Sequence, residues 1–170
     1  VQTIRNPLRL NVGFITQKPV GFSRIFPFNY QKVSLGEDFL LDLLTGQAEI
    51  SRTPQGLFVR ASLDAQLPAE CGRCLTNFAL SIHTEFVEMF AFRRRGVGKD
   101  DLLLPETGFI DLNPIAREQL LLEFPINPTC RPDCKGLCPI CGESLNEAHP
   151  AHEDEPGDPR LLILKTLLEK

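Results

Sequence analysis

Leu57-Phe-Val-Arg-Ala-Ser-Leu-Asp-Ala-Gln-Leu67 alternates without a break. Leu57, Val59, Ala61, Leu63, Ala65 and Leu67 fall on one side, and Phe58, Arg60, Ser62, Asp64 and Gln66 on the other. A period of two held over that length predicts a half-buried antiparallel strand. The same pattern returns downstream in Phe78–Phe92, through Phe78, Leu80, Ile82, Phe86, Phe90 and Phe92. Upstream, Phe39–Ile50 is apolar but irregular, and Gly46 is expected to mark a bulge. Thr53-Pro-Gln-Gly56 has the turn chemistry to join the first two strands as a hairpin. A longer loop over residues 68–77, carrying Cys71 and Cys74, is expected to join the second and third. Before this meander the chain reads as extended and aromatic, with Phe14, Phe22, Phe26, Phe28 and Tyr30 interleaved with Arg24 and Lys32.

Beyond the meander a polar link, Arg93-Arg-Arg95 to Asp100-Asp101, leads to a second region. Asn113-Pro114 and Asp158-Pro159 each place a capping side chain before a proline at the first helical position. They predict helices over 114–124 and 159–169, with Ala116, Leu120 and Phe124 on the buried stripe of the first and Pro125 ending it. Leu161, Leu164 and Leu168 form the stripe of the second. Between them lies a long loop rich in Cys, Pro, Gly and acid, which needs its own source of order. The expected fold is α+β: an antiparallel β-meander, a short helix, a zinc-ordered Cys-rich loop and a C-terminal helix. Its two parts, residues 1–99 and 100–170, are expected to form one compact unit.

The 170 residues are 42% apolar and 24% charged, which excludes wholesale disorder and leaves room for a real core. No apolar run is long enough for a membrane span, and Val1–Leu10 has no apolar core like that of a signal peptide. Nothing in these features points to secretion, and no membrane contact is expected. The net charge of −4 divides unevenly. Residues 1–99 carry 12 Lys and Arg against 8 acids, whereas residues 100–170 carry 6 against 14. Residues 1–36 contain Arg5, Arg9, Lys18, Arg24 and Lys32 and no acid. A polyanion would therefore meet the N-terminal side, and a basic partner the C-terminal side.

The six cysteines fall in three close pairs: Cys71/Cys74, Cys130/Cys134 and Cys138/Cys141. Three disulfides would require an oxidising compartment, of which the sequence shows no sign. Pairs this close are what a tetrahedral zinc site uses, each wrapping the metal from one side of a tight turn. In Cys138-Pro-Ile-Cys141-Gly142, proline fixes the entry to the turn and Gly142 can leave it with positive φ. Two arrangements stay open. Cys130, Cys134, Cys138 and Cys141 could hold one ion, with only three residues between the middle two. Alternatively Cys71 and Cys74 join Cys130 and Cys134, and Cys138 and Cys141 join His149 and His152. The zinc, one ion or two, would be structural.

Cys71-Gly-Arg-Cys74-Leu75, Glu118-Gln-Leu-Leu-Leu-Glu-Phe-Pro125, Cys130-x3-Cys134-Lys-Gly-Leu-Cys138-Pro-Ile-Cys141-Gly142, Leu145-Asn146 and Asp158-Pro-Arg-Leu161 together resemble the YceD family. This is the bacterial and plastid family of large ribosomal RNA subunit accumulation proteins. Ser144 stands where members often have Asn, and His149-x2-His152 where many have Cys-x-Cys, which suggests that His has replaced thiolate as ligand. The resemblance implies a cytoplasmic, non-enzymatic factor in synthesis, processing or stability of the large-subunit (23S) ribosomal RNA. The partners it implies are that RNA or a ribosomal protein.

These features allow three function classes. The first is a ribosome-biogenesis accessory touching RNA through the aromatic, acid-free N-terminal stretch and Arg93–Arg95. The second is an adaptor whose acids, Glu143, Glu147, Glu153, Asp154, Glu155 and Asp158, bind a basic protein without touching RNA. The third is an enzyme. No His-Glu-x2-His, Gly-x-Ser-x-Gly or phosphate-loop motif is present. His83 reads as a surface residue of its strand. No catalytic residue and no small-molecule substrate are expected.

Overall fold

In the computed structural model, residues 4–36, 38–92, 102–150 and 152 are described. The alternating segment forms β5, Gly56–Glu70, at the heart of the molecule. Leu57, Val59, Ala61, Leu63, Ala65 and Leu67 are all buried, as the period requires. A fully buried Leu or Val contributes about 1.5–3 kcal/mol over its exposed state. β5 pairs antiparallel with β4, Leu40–Arg52, through Leu43↔Gln66 to Arg52↔Leu57. On its other side it pairs with β6, Asn77–Ala91, through Gly56↔Ala91 to Glu70↔Asn77. The aromatic stretch provides a fourth long strand, β3, Ser23–Ser34, antiparallel to β4. β1, Ile4–Arg5, adds in parallel at its far end, giving the order β1-β3-β4-β5-β6.

The other layer is small. β2, Arg9–Asn11, pairs antiparallel with β7, Phe109–Asp111. Among the described residues, a single helical turn, α1, Gly13–Thr16, and the helix α2, Asn113–Leu122, complete it. Leu8, Leu10, Val12, Ile15, Ile110, Leu112, Ala116 and Leu120 are buried and pack on the inner face of the sheet in one continuous core. The outer face is open to solvent, with Ile25 and Val87 each 52% exposed.

Three expectations are corrected. Gly46 is not a bulge, because pairing runs unbroken past it on both sides. Its φ of +141° and a Cβ position only 2.1 Å from the Ser62 carbonyl oxygen show that glycine is needed for close strand approach. The irregularity of β4 has another cause. The buried positions run Ile50, Ala48, Leu44 and then Leu41, so the phase slips by one. β3 slips too, from Phe28 to Val33, where Lys32 has φ of +52°. Both partners slip together and the register survives.

The β5–β6 loop is only residues 71–76, because the strands stay paired to Glu70↔Asn77. Pro68 is tolerated there since the β4 ladder ends at Gln66, leaving its side of β5 without a hydrogen bond to lose. Finally, Asn113 is the first residue of α2 rather than its cap. The Asp111 carboxylate accepts its backbone N–H at 2.9 Å, while the Asn113 side chain accepts the Leu8 N–H at 3.3 Å. Ala116 and Leu120 are fully buried and Phe124 packs against the core, so the stripe stands as expected. The 159–169 helix and Arg93–Arg95 lie outside the described residues.

Candidate metal centres

The β5–β6 turn delivers Cys71 and Cys74 to one end of the sheet. Their turn is closed by bonds from Cys71 N to Thr76 O (3.0 Å) and from Leu75 N to Cys71 O (2.9 Å). The chain leaving α2 passes this turn, and Gly72 N donates to Pro128 O at 2.8 Å. That contact places Cys130 and Cys134 opposite. Cys71 Sγ lies 3.8 Å from Cys134 Sγ, and Cys74 Sγ 3.6 Å from Cys130 Sγ. These are not disulfides, and all six cysteines are free. The spacing is instead that of a thiolate tetrahedron, whose corners lie about 3.8 Å apart when the metal–sulfur arms are ~2.3 Å. All four sulfurs lie within 4.8 Å of one another, and Cys71, Cys74 and Cys134 are buried.

Cys138, Cys141, His149 and His152 make a second group, again with every ligand atom within 4.8 Å of the others. Cys138 is buried and Cys141 exposed. The Cys141 sulfur sits 2.9 Å from His149 Nε2, and the two imidazoles meet edge to face with centroids 4.9 Å apart. The turn copies the first: Gly142 N donates to Cys138 O at 2.9 Å, and Gly142 has φ of +76° where Leu75 has +58°. The eight candidate ligands therefore assemble as two tetrads. Cys130, Cys134, Cys138 and Cys141 do not gather around one point.

Electrostatics favours a cation in the first group. Backbone N–H groups of Cys130 and then Cys74 hold the Cys71 thiol down to about 6. Burial, then hydrogen bonding with the neighbouring thiols, pushes Cys130 up to about 12. Cys74 is lowered, chiefly by Thr76. Such a cluster cannot ionise fully by itself, whereas a divalent ion deprotonates every thiol it binds. In the second group Cys138 is lowered, first by the Cys141 N–H. The donor sets thus suit a tetrahedral ion in both places.

Supporting contacts come from residues whose part the spacing of cysteines does not reveal. Asn146 Nδ2 donates to Cys134 Sγ at 3.4 Å, and its Oδ1 accepts the Lys135 N–H at 2.9 Å. Arg73 Nη1 donates to the Cys134 carbonyl at 3.0 Å. Asn146 is legible only as part of the Leu145-Asn146 run, with nothing in the residue itself naming a partner. Asn146 also belongs to the backbone that returns from the second turn, since Leu145 N donates to Gly136 O at 2.9 Å.

The other candidate residues scatter. Phe28 is buried, Phe22, Phe26 and Tyr30 are half-buried against the core, and Phe14 is 40% exposed. His83 is an exposed residue of the outer face, with Nδ1 2.8 Å from Asp64, whose carboxylate raises its pKa. Glu143 and Glu147 are exposed, while Glu153, Asp154, Glu155 and Asp158 lie outside the described residues. Among the described residues, no helix is long and apolar enough to cross a membrane.

Residues 59–168 match the profile of the family described as "Large ribosomal RNA subunit accumulation protein YceD". An uncharacterized protein of Mycobacterium tuberculosis is 32% identical over 142 residues, covering 80% of this chain and 66% of its own length. One from Mycobacterium leprae is 29% identical over 114 residues, covering 65% and 52%. The uncharacterized protein YlbN of Bacillus subtilis is 28% identical over 127 residues, covering 74% and 73%. The chain thus spans just under two thirds of the length of the Mycobacterium tuberculosis relative. No solved structure matches it.

Proposed function

The chain belongs to the YceD family, and on that premise we propose that it is a non-enzymatic accessory factor in accumulation of the large-subunit ribosomal RNA. In this reading two zinc ions are structural, held by Cys71, Cys74, Cys130 and Cys134, and by Cys138, Cys141, His149 and His152. The observation that carries it is that the family match, residues 59–168, spans every one of these ligands. The first tetrad uses only thiolates, three of them buried, which leaves no open coordination position for a substrate. Its ion would tie the end of the sheet to the segment leaving α2, and thereby order the Cys-rich loop. Both centres belong to a folded surface that acts by binding.

The test is depletion of the protein in its own cells, with large- and small-subunit rRNA quantified separately. A fall in the large-subunit species, restored by the wild-type chain and not by Cys71→Ser, is expected. Unchanged rRNA on depletion would remove the reading. Elemental analysis of the purified chain should give two zinc ions per molecule.

A further inference from the structure

We propose that the end of the sheet opposite Cys71 is a binding edge for single-stranded RNA; this rests on the rRNA reading above and assigns it a surface. Period two puts Phe22, Arg24, Arg52 and Phe92 on the inner face, in phase with buried Phe28, Ile50 and Phe90. They flank the end rows of the core, with Arg52 paired to buried Leu57 and Arg24 to buried Ile50. Arg24 is exposed, and Phe22, Arg52 and Phe92 are half-buried.

The pieces are stitched into one corner. Arg52 N donates to Phe22 O at 2.8 Å, Gly21 N to Arg52 O at 2.9 Å, and Phe92 N to Gln55 O at 3.0 Å. Lys18, itself exposed, holds its ammonium 5.9 Å from the Phe22 ring centre. The Arg52 guanidinium lies 5.8 Å from that of Phe92. Among the described residues the Arg52 Nε–H, closed off from water, finds no acceptor. Glu88 shares this face and is outnumbered by Lys18, Arg24 and Arg52.

Partly buried rings with cations beside them fit a strand whose bases are unstacked: the ring edges left open and the Arg52 guanidinium take base faces, and the flanking cations take phosphates. A duplex hides its base faces and would use only the charge. An acidic polypeptide would likewise leave the rings idle. Single-stranded RNA is the polyanion that uses both.

The test uses the full zinc-loaded chain and a short fluorescein-labelled single-stranded RNA, read by anisotropy across a salt series. Binding should weaken with a log–log salt slope of about −1.4, as for two phosphate contacts, by Lys18 and Arg24, on a single strand. Phe92→Ala and Arg52→Ala should each weaken it roughly tenfold, the scale of one lost base stack. Because both residues are half-buried, Lys18→Glu, at an exposed position, is the variant that keeps the fold, and it should also weaken binding. Absence of binding would overturn the proposal. So would equal affinity in all three variants, or equal competition by duplex DNA or polyglutamate. Returning Lys18→Glu to depleted cells separates the two readings. If it restores large-subunit rRNA as well as wild type does, the edge is wrong and the accumulation role stands. If depletion never alters that rRNA, the role itself falls.

Discussion

The two tetrads share one local design and differ in what stands behind it. In each, a Cys-x2-Cys turn is closed by the same backbone bond, 2.9 Å long, and followed by a residue with positive φ. The first turn caps two paired 15-residue strands, and its partner thiols come from 56 and 63 positions away. In the second, Cys141 meets His149 only 8 positions on, and Cys141 is exposed. A cross-link between distant segments removes more freedom from the unfolded chain than a local one. In the chain-entropy picture, closing 63 positions is worth about 4 kcal/mol and closing 8 about 2.5 kcal/mol. The first centre should therefore hold the fold and the second only its own loop.

The largest effect should come from breaking the first. Cys71→Ser or Cys134→Ser should release one zinc ion and lower stability by about 4 kcal/mol, seen in denaturant unfolding with zinc present. Next, Cys141→Ser or His149→Ala should also release one ion, but with a loss of no more than about 2.5 kcal/mol. The sheet's circular dichroism should stay intact in these variants. A chelator added to wild type should follow the same order, stripping the exposed centre before the buried one. Equal losses at the two centres would break the comparison.

What could be read ahead follows the same division. β5 and β6 were legible because Leu57–Leu67 and Phe78–Phe92 alternate, and one open face makes alternation compulsory. The phase slip at Leu41–Leu44 hid β4's true pattern, since two strands slip together and only pairing reveals it. Cysteine spacing marked the ligand pairs but left two partitions open, because spacing says nothing of which turns meet. What decides it is the hydrogen bond from Gly72 to Pro128, a contact between segments far apart in the chain. Asn146 was out of reach for the same reason. Its amide serves Cys134, so Asn146→Ala should keep both ions and cost about 1 kcal/mol, the net worth of a side-chain hydrogen bond.

The smallest effects sharpen the comparison most, because they exchange one residue between equivalent places in the two turns. Leu75 has φ of +58° and is 58% exposed, so little packing repays its left-handed backbone. That conformation costs an ordinary residue about 1–2 kcal/mol, and glycine nothing. Against this, glycine gives the unfolded chain about 0.5–1 kcal/mol of extra freedom. Leu75→Gly should therefore raise stability slightly, by about 0.5 kcal/mol. At Gly142 a Cβ would meet nothing within 4 Å, so Gly142→Ala introduces the backbone penalty and no clash. It should lower stability by about 0.5 kcal/mol. Opposite signs, measured by unfolding at saturating zinc with two ions retained, would show that the turns are equivalent in backbone energetics. Equal signs would mean that the metal, rather than the residue after the second cysteine, sets the conformation of each turn.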